Sequence, residues 1–194
     1  MESPALFHVS AQALPAGQVL RPYAVASEYS SLVRLAVKEL GIGPDAIQGL
    51  LTGQEWVRLV RRGGYRSEMV LLEAAFEWAR LHTTPHLPSR LDAVYVWSSQ
   101  ELAERFRAKY RASGIIHRCT LVDGTTLERD GALVVEAFEA ANLSQPSDHD
   151  FRQVDELATR YWRAPAPLAL PELLVHGTIV VEAIVESSDE PRPR

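Results

Sequence analysis

Ala5-Leu6-Phe7-His8-Val9-Ser10, followed by Leu14-Pro15-Ala16-Gly17-Gln18-Val19-Leu20, is the stretch whose reading decides the fold. A short apolar run carries one imidazole at its middle, meets a Pro-Ala-Gly turn, and resumes as a second apolar pair. This pattern predicts a buried strand over 5–10 and a turn over 15–17. His8 on such a strand is either a histidine with no special role or a group that holds a ligand. The rest of the chain decides between them by supplying partners or failing to.

Downstream the pattern is helical first. Residues 21–26 read as a loop, and Ser27 caps a helix with Leu32, Leu35, Ala36, Val37 and Leu40 along one stripe. Gly41-Ile42-Gly43-Pro44 stops it. Short helices over 45–52 and 54–62, ended by Gly63-Gly64, precede a longer one over 66–81. Thr84-Pro85-His86-Leu87-Pro88 breaks that helix, so 27–82 forms a helical layer. Its Trp56, Phe76 and Trp78 read as core.

From residue 89 strands return. Leu91–Trp97 reads as a strand, Ser98 and Ser99 cap a helix over 100–112, and Ile115–Val122 reads as the next strand. Asp123-Gly124 signals a turn. Ala132–Phe138 reads as a strand, with helix left open as the alternative. Residues 142–150 form a loop and 151–162 a helix, and Pro165, Pro167 and Pro171 keep the connector non-helical. Leu173–Val185 is strand-rich around a His176-Gly177 turn, and 187–194 reads as a disordered tail. The pattern predicts an α+β fold in one domain over 1–186.

Composition bounds the function. A formal charge of −5 gives no general nucleic-acid-binding surface. A single cysteine, Cys119, excludes an intramolecular disulfide and a cysteine-based zinc cluster. There is no signal-peptide pattern and no 18-residue apolar run. The expectation is a soluble cytoplasmic protein that does not enter a membrane, although an effector delivered by a dedicated secretion machine would look the same. Walker, Rossmann and His-Glu-x-x-His motifs are absent. His82 and His86 are four apart, but Pro85 between them argues against a metal pair, and no metal is expected.

Three positions carry the candidate chemistry. His8 offers one donor and one acceptor, which suits a ribose hydroxyl, and Ser10 adds a hydroxyl two residues on. Tyr95 lies in Asp92-Ala93-Val94-Tyr95-Val96-Trp97-Ser98-Ser99, with Phe106 on the following helix. Glu172 stands at the mouth of the apolar strand Leu173-Leu174-Val175. Two core aromatics and a strand-capping Glu are the plain alternatives. Glu182 and Glu186 are competing carboxylates placed too far along the strand.

In their order and positions these motifs resemble the His-Tyr-Glu class of the ADP-ribosyltransferase fold, which includes diphtheria-toxin-like, poly-ADP-ribosylating and rifampin ADP-ribosyltransferases. Pro88-Ser89-Arg90-Leu91 and Tyr161-Trp162 resemble a bacterial branch of it. The resemblance covers nearly the whole chain and implies split β-sheets beside the N-terminal helical layer. It implies NAD as co-substrate, with Glu172, His8 and Tyr95 catalytic and with His8, Val9, Ser10, Tyr95 and Phe106 binding NAD. Val9 replaces the glycine whose backbone grips the nicotinamide amide in the family. Phe106 replaces a second tyrosine eleven positions after the first, a change that keeps a stacking surface. The expected activity is mono-ADP-ribosyl transfer to a protein, nucleic acid or small molecule. An NAD glycohydrolase and a non-catalytic NAD- or nucleotide-binding module are the alternatives.

Overall fold

The computed structural model describes residues 4–22, 33–39, 41, 43, 67–141, 148–164 and 167–185. The Ser27 cap, the helices expected over 45–52 and 54–62, the Gly63-Gly64 stop and the 187–194 tail lie outside them. In chain order the named strands and helices are β1 (Leu6–Ser10), β2 (Val19–Leu20), α1 (Ser67–Thr83), β3 (Val94–Val96), α2 (Gln100–Tyr110), β4 (Ile115–Asp130), α3 (Gly131–Ala141), α4 (Asp148–Arg163) and β5 (Pro171–Ile184). A π-helical turn at Arg34–Glu39 and a 3-10 turn at Arg90–Asp92 complete the described elements. The protein is thus α+β, and its described strands form one mostly antiparallel sheet rather than the split sheets that the resemblance implies. Among the described residues no helix is long and apolar enough to cross a membrane.

The chain forms two compact units. One contains Met1–Pro22, Val94–Glu128 and Glu172–Arg194; the other contains Tyr23–Ala93 and Arg129–Pro171. The helical unit therefore draws on the chain on both sides of β3 and β4.

In the first unit the strand order is β1-β4-β5-β2, and β3 also pairs with β5. β1 meets β4 antiparallel, with Leu6 opposite Cys119, His8 opposite His117 and Ser10 opposite Ile115. Val94, Tyr95 and Val96 of β3 face Val175, Leu174 and Leu173 of β5. Just past β3, Trp97 exchanges two backbone bonds with Phe7, of 2.9 and 2.8 Å. The turn expected at 15–17 is present, with Gln18 N–H reaching the Pro15 carbonyl at 3.1 Å and Gly17 at φ +84°.

Side chains alternate across a strand, so each face has its own set. Leu6, Val94, Val96, Cys119, Val175, Ile179 and Val181 cluster on one face. Val9, Ile116 and Trp97 cluster on the other with Ala103 and, half-buried, Phe106 of α2. Each fully buried aliphatic side chain stabilises such a core by about 1.5–3 kcal/mol. α2 begins where expected, with Ser99 Oγ accepting from Leu102 N–H at 3.2 Å.

Two expected turns are not turns. β4 runs straight through Asp123-Gly124 and β5 through His176-Gly177, because the two dipeptides face each other in one long pairing. The 91–97 strand is also shorter than expected, since Ser89 caps a turn over Arg90–Asp92 before β3 begins.

In the second unit, α4 packs against α1 and α3. Residues 131–141 are helix, so the alternative to a 132–138 strand holds. The carboxylate of Asp130 accepts from Ala132 N–H at 3.1 Å at the start of the helix, and also from Ala169 and Leu170 N–H at 3.0 and 2.9 Å. The Ser89-Arg90 dipeptide singled out in the sequence serves a buried ionic network. Ser89 Oγ donates to Glu77 at 2.6 Å and Arg90 Nε to Glu73 at 2.9 Å. The Arg90 guanidinium also lies over the rings of Phe76 and Tyr161, 5.1 and 5.3 Å from their centroids.

Candidate functional site

All six candidate site residues belong to the first unit. His8 is half-buried on β1, and its Nδ1 lies 2.9 Å from the backbone carbonyl of Tyr95. A carbonyl only accepts, so the ring proton sits on Nδ1 and Nε2 is left as the acceptor. Burial lowers the His8 pKa below the usual 6.5; the Tyr95 carbonyl pulls the other way, and His117 and Arg111 add repulsion. At neutral pH the ring is neutral, so Nε2 offers a lone pair to a hydroxyl.

Ser10 shares the His8 face, two residues along the strand. Its hydroxyl donates to the Gln12 carbonyl, and its Oγ lies 3.0 Å from Nε2 of His117. His117, opposite His8 in register, is fully buried. Burial lowers its pKa, while the Gln12 carbonyl favours the protonated form. In the sequence His117 is one residue of an expected strand with no assigned role. Its only signal is the strand face it shares with Ile115 and Cys119, which acquires meaning once the pairing with β1 is known.

The other candidates fall elsewhere. Val9 is buried against the α2 side, and its carbonyl accepts from Arg111 at 3.3 Å, so part of the backbone expected to grip an amide is already engaged. Phe106 stacks on Trp97 at 4.3 Å and approaches Tyr110 at 5.6 Å. Tyr95 is half-buried, and Val94 and Val96 on either side of it join the Leu6 core, so alternation points its ring to the reverse face. Glu172 is two residues before Leu174, the partner of Tyr95. The same alternation puts its side chain on the Tyr95 face, in the diagonal cross-strand position, for which about 7–8 Å is typical. Glu172 is 8% exposed, a buried carboxylate rather than an open strand cap.

Thus Tyr95 and Glu172 are brought together on one face, and His8 and Ser10 on the other. The two pairs meet at the Tyr95 backbone. Among the described residues no group of three or more His, Cys, Asp or Glu is arranged to hold a metal ion.

The fold and this cluster define an α+β protein with a polar histidine–serine pair on its first strand and a tyrosine–glutamate pair behind it. The chain belongs to the DUF2441 family of proteins of unknown function, whose family model matches residues 54–187. That match takes in Tyr95, Phe106, His117 and Glu172 and begins after β1. No curated protein matches the chain.

Proposed function

We propose that the chain is an NAD-dependent mono-ADP-ribosyltransferase of the His-Tyr-Glu class. The observation that carries this reading is the junction at Tyr95. Its carbonyl accepts a hydrogen bond from His8 Nδ1–H across 87 positions of sequence, and its strand partner Leu174 lies two residues from Glu172. Three motifs scattered along the chain thereby meet at one strand, His8 at its backbone carbonyl on one face and Glu172 beside its side chain on the other.

The chemistry follows from the residue types. His8 Nε2, neutral, fixed in its tautomer and on the opposite face from Glu172, accepts from a hydroxyl of the adenosine-side ribose. Tyr95 stacks the nicotinamide ring. The bond from nicotinamide nitrogen to ribose C1′ breaks, and its electron pair leaves with neutral nicotinamide. Positive charge develops on the sugar, as in other glycosyl transfers. The Glu172 carboxylate opposes that charge, more strongly in the transition state than in bound NAD. The acceptor nucleophile bonds to C1′ and loses its proton.

The burial of Glu172 and the engagement of Phe106 with Trp97 favour a second reading, a nucleotide-binding module without turnover. Incubation with NAD labelled in its adenosine half, alone and with cell lysate, separates the readings, together with calorimetric titration of NAD. Label on a macromolecule supports the transferase, and free ADP-ribose supports a glycohydrolase. Heat of binding without either product supports the module. No binding and no product rules out all three.

A further inference from the structure

The fully buried His117 has no role in the reaction just described, yet its surroundings fix its protonation. Nε2 lies 3.0 Å from Ser10 Oγ, whose own proton goes to the Gln12 carbonyl. Ser10 therefore has no hydrogen to give Nε2, and the hydrogen between them must be on Nε2. Nδ1 then carries the lone pair, and it is buried with no hydrogen-bond partner. His8, directly opposite, is held in the reverse tautomer by the Tyr95 carbonyl. Ser10 spends its only proton on the Gln12 carbonyl and receives from His117, so the free capacity of its oxygen is a lone pair.

We propose that His117 is a positioning residue: through Nε2–H it holds the Ser10 hydroxyl as an acceptor beside His8 Nε2, so this face selects ligand groups that donate hydrogen bonds. The two acceptor atoms stand on residues two apart, about 6.6–6.8 Å along the strand. Such a pair welcomes sugar hydroxyls or an amine and rejects a phosphate, which offers only further lone pairs. This step rests on the reading that NAD occupies the face, and it assigns the ribose end rather than the pyrophosphate to Ser10. His117 does not touch the ligand itself.

The test has two arms on the full chain. Long-range proton–nitrogen NMR of the imidazoles at neutral pH should find His8 protonated on Nδ1 alone and His117 on Nε2 alone. A His117 ring that is charged, or protonated on Nδ1, overturns the proposal. In the second arm NAD is titrated into wild type, His117→Leu, His117→Gln, Ser10→Ala and the Ser10→Ala/His117→Leu double variant. His117→Leu should weaken binding roughly three- to tenfold, the scale of one oriented hydrogen bond. His117→Gln presents an amide N–H at the Nε2 position and should stay within about twofold of wild type. Once Ser10 is Ala, His117→Leu should change nothing further. Wild-type affinity in His117→Leu, or an undiminished effect of it beside Ser10→Ala, defeats the positioning role and leaves the transferase reading standing. A wild type that binds no NAD removes that reading instead, and the tautomers alone then decide the role of His117. If His117→Leu fails to fold, the Gln variant and the NMR arm carry the decision.

Discussion

Gly124 of β4 and Gly177 of β5 face each other backbone to backbone. A Cβ on Gly124 would come within 2.6 Å of Gly177 Cα, and one on Gly177 within 2.7 Å of Gly124 Cα. Gly124 also sits at φ +105°, a conformation that L side chains rarely adopt. Either glycine to Ala should therefore destabilise the fold by about 1–3 kcal/mol, the overpacking range, with Gly124→Ala the worse because it adds backbone strain. Urea denaturation of both variants checks this. Stability unchanged in either would mean that the strands separate at this point.

The helical unit makes a different prediction. Glu77 is fully buried and accepts from Arg80 at 2.8 and 3.0 Å and from Ser89 at 2.6 Å, with Lys38 Nζ 3.7 Å away. Removing one member of a buried pair strands the other's charge, at a cost of about 3–5 kcal/mol. Glu77→Ala should fall in that range. Arg80→Met, which leaves the Glu77 carboxylate short of two donors, should cost a similar amount. The Glu77→Ala/Arg80→Met double variant should cost less than the sum of the two. Additive losses in a denaturation cycle would contradict coupling through this pair.

His8 and His117 link stability to pH. Burial sets both folded pKa values below the ordinary 6.5. Between the folded and unfolded values the unfolded chain binds more protons, so stability is complete above about pH 6.5 and declines as pH falls below it. Each histidine contributes a slope of at most about 1.4 kcal/mol per pH unit. His8→Gln should flatten the decline, and His8→Gln/His117→Gln should flatten it further. Among the described residues the charged groups acting on His8 are His117 and Arg111, and both disfavour its charged form, which keeps this sign. Denaturation curves at stepped pH decide the matter: a wild type and double variant that lose stability in parallel would leave the histidines out of the linkage.

The legible parts of this chain were those set by local pattern. Leu6–Ser10 alternates and is a strand, Ser99 caps α2, and the Pro-Ala-Gly turn is where the residues put it. The misread parts were set by partners distant in sequence. Asp123-Gly124 has the composition of a hairpin turn, yet its glycine serves a close crossing with Gly177. Gly131–Ala141 is an apolar run that periodicity alone cannot assign, and its helix starts at a carboxylate shared with residues 169 and 170. For the candidate site, residue type singles out His8 and Ser10, but only pairing brings His117 beside them. The faces of Tyr95 and Glu172 depended in turn on the register of β3 with β5.

That register also makes the carboxylate testable. Glu172→Gln keeps the side chain's shape and reach and removes only its charge. If the charge acts on the forming ribosyl cation, nicotinamide release should fall by ~10²–10³, the loss seen when one preorganised electrostatic group is removed. NAD affinity should change little, because bound NAD has not yet developed that cation. Tyr95→Ala should behave in the opposite sense. It deletes a surface that bound NAD already uses, weakening binding by roughly 0.5–1.5 kcal/mol or more. Glu172 is 8% exposed, so thermal denaturation must first show that the Gln variant retains the wild-type transition. With the fold intact, calorimetry and a nicotinamide-release assay separate the two effects. Equal loss of binding and turnover in Glu172→Gln would make the carboxylate a ligand-binding group, and full turnover would remove it from the chemistry altogether.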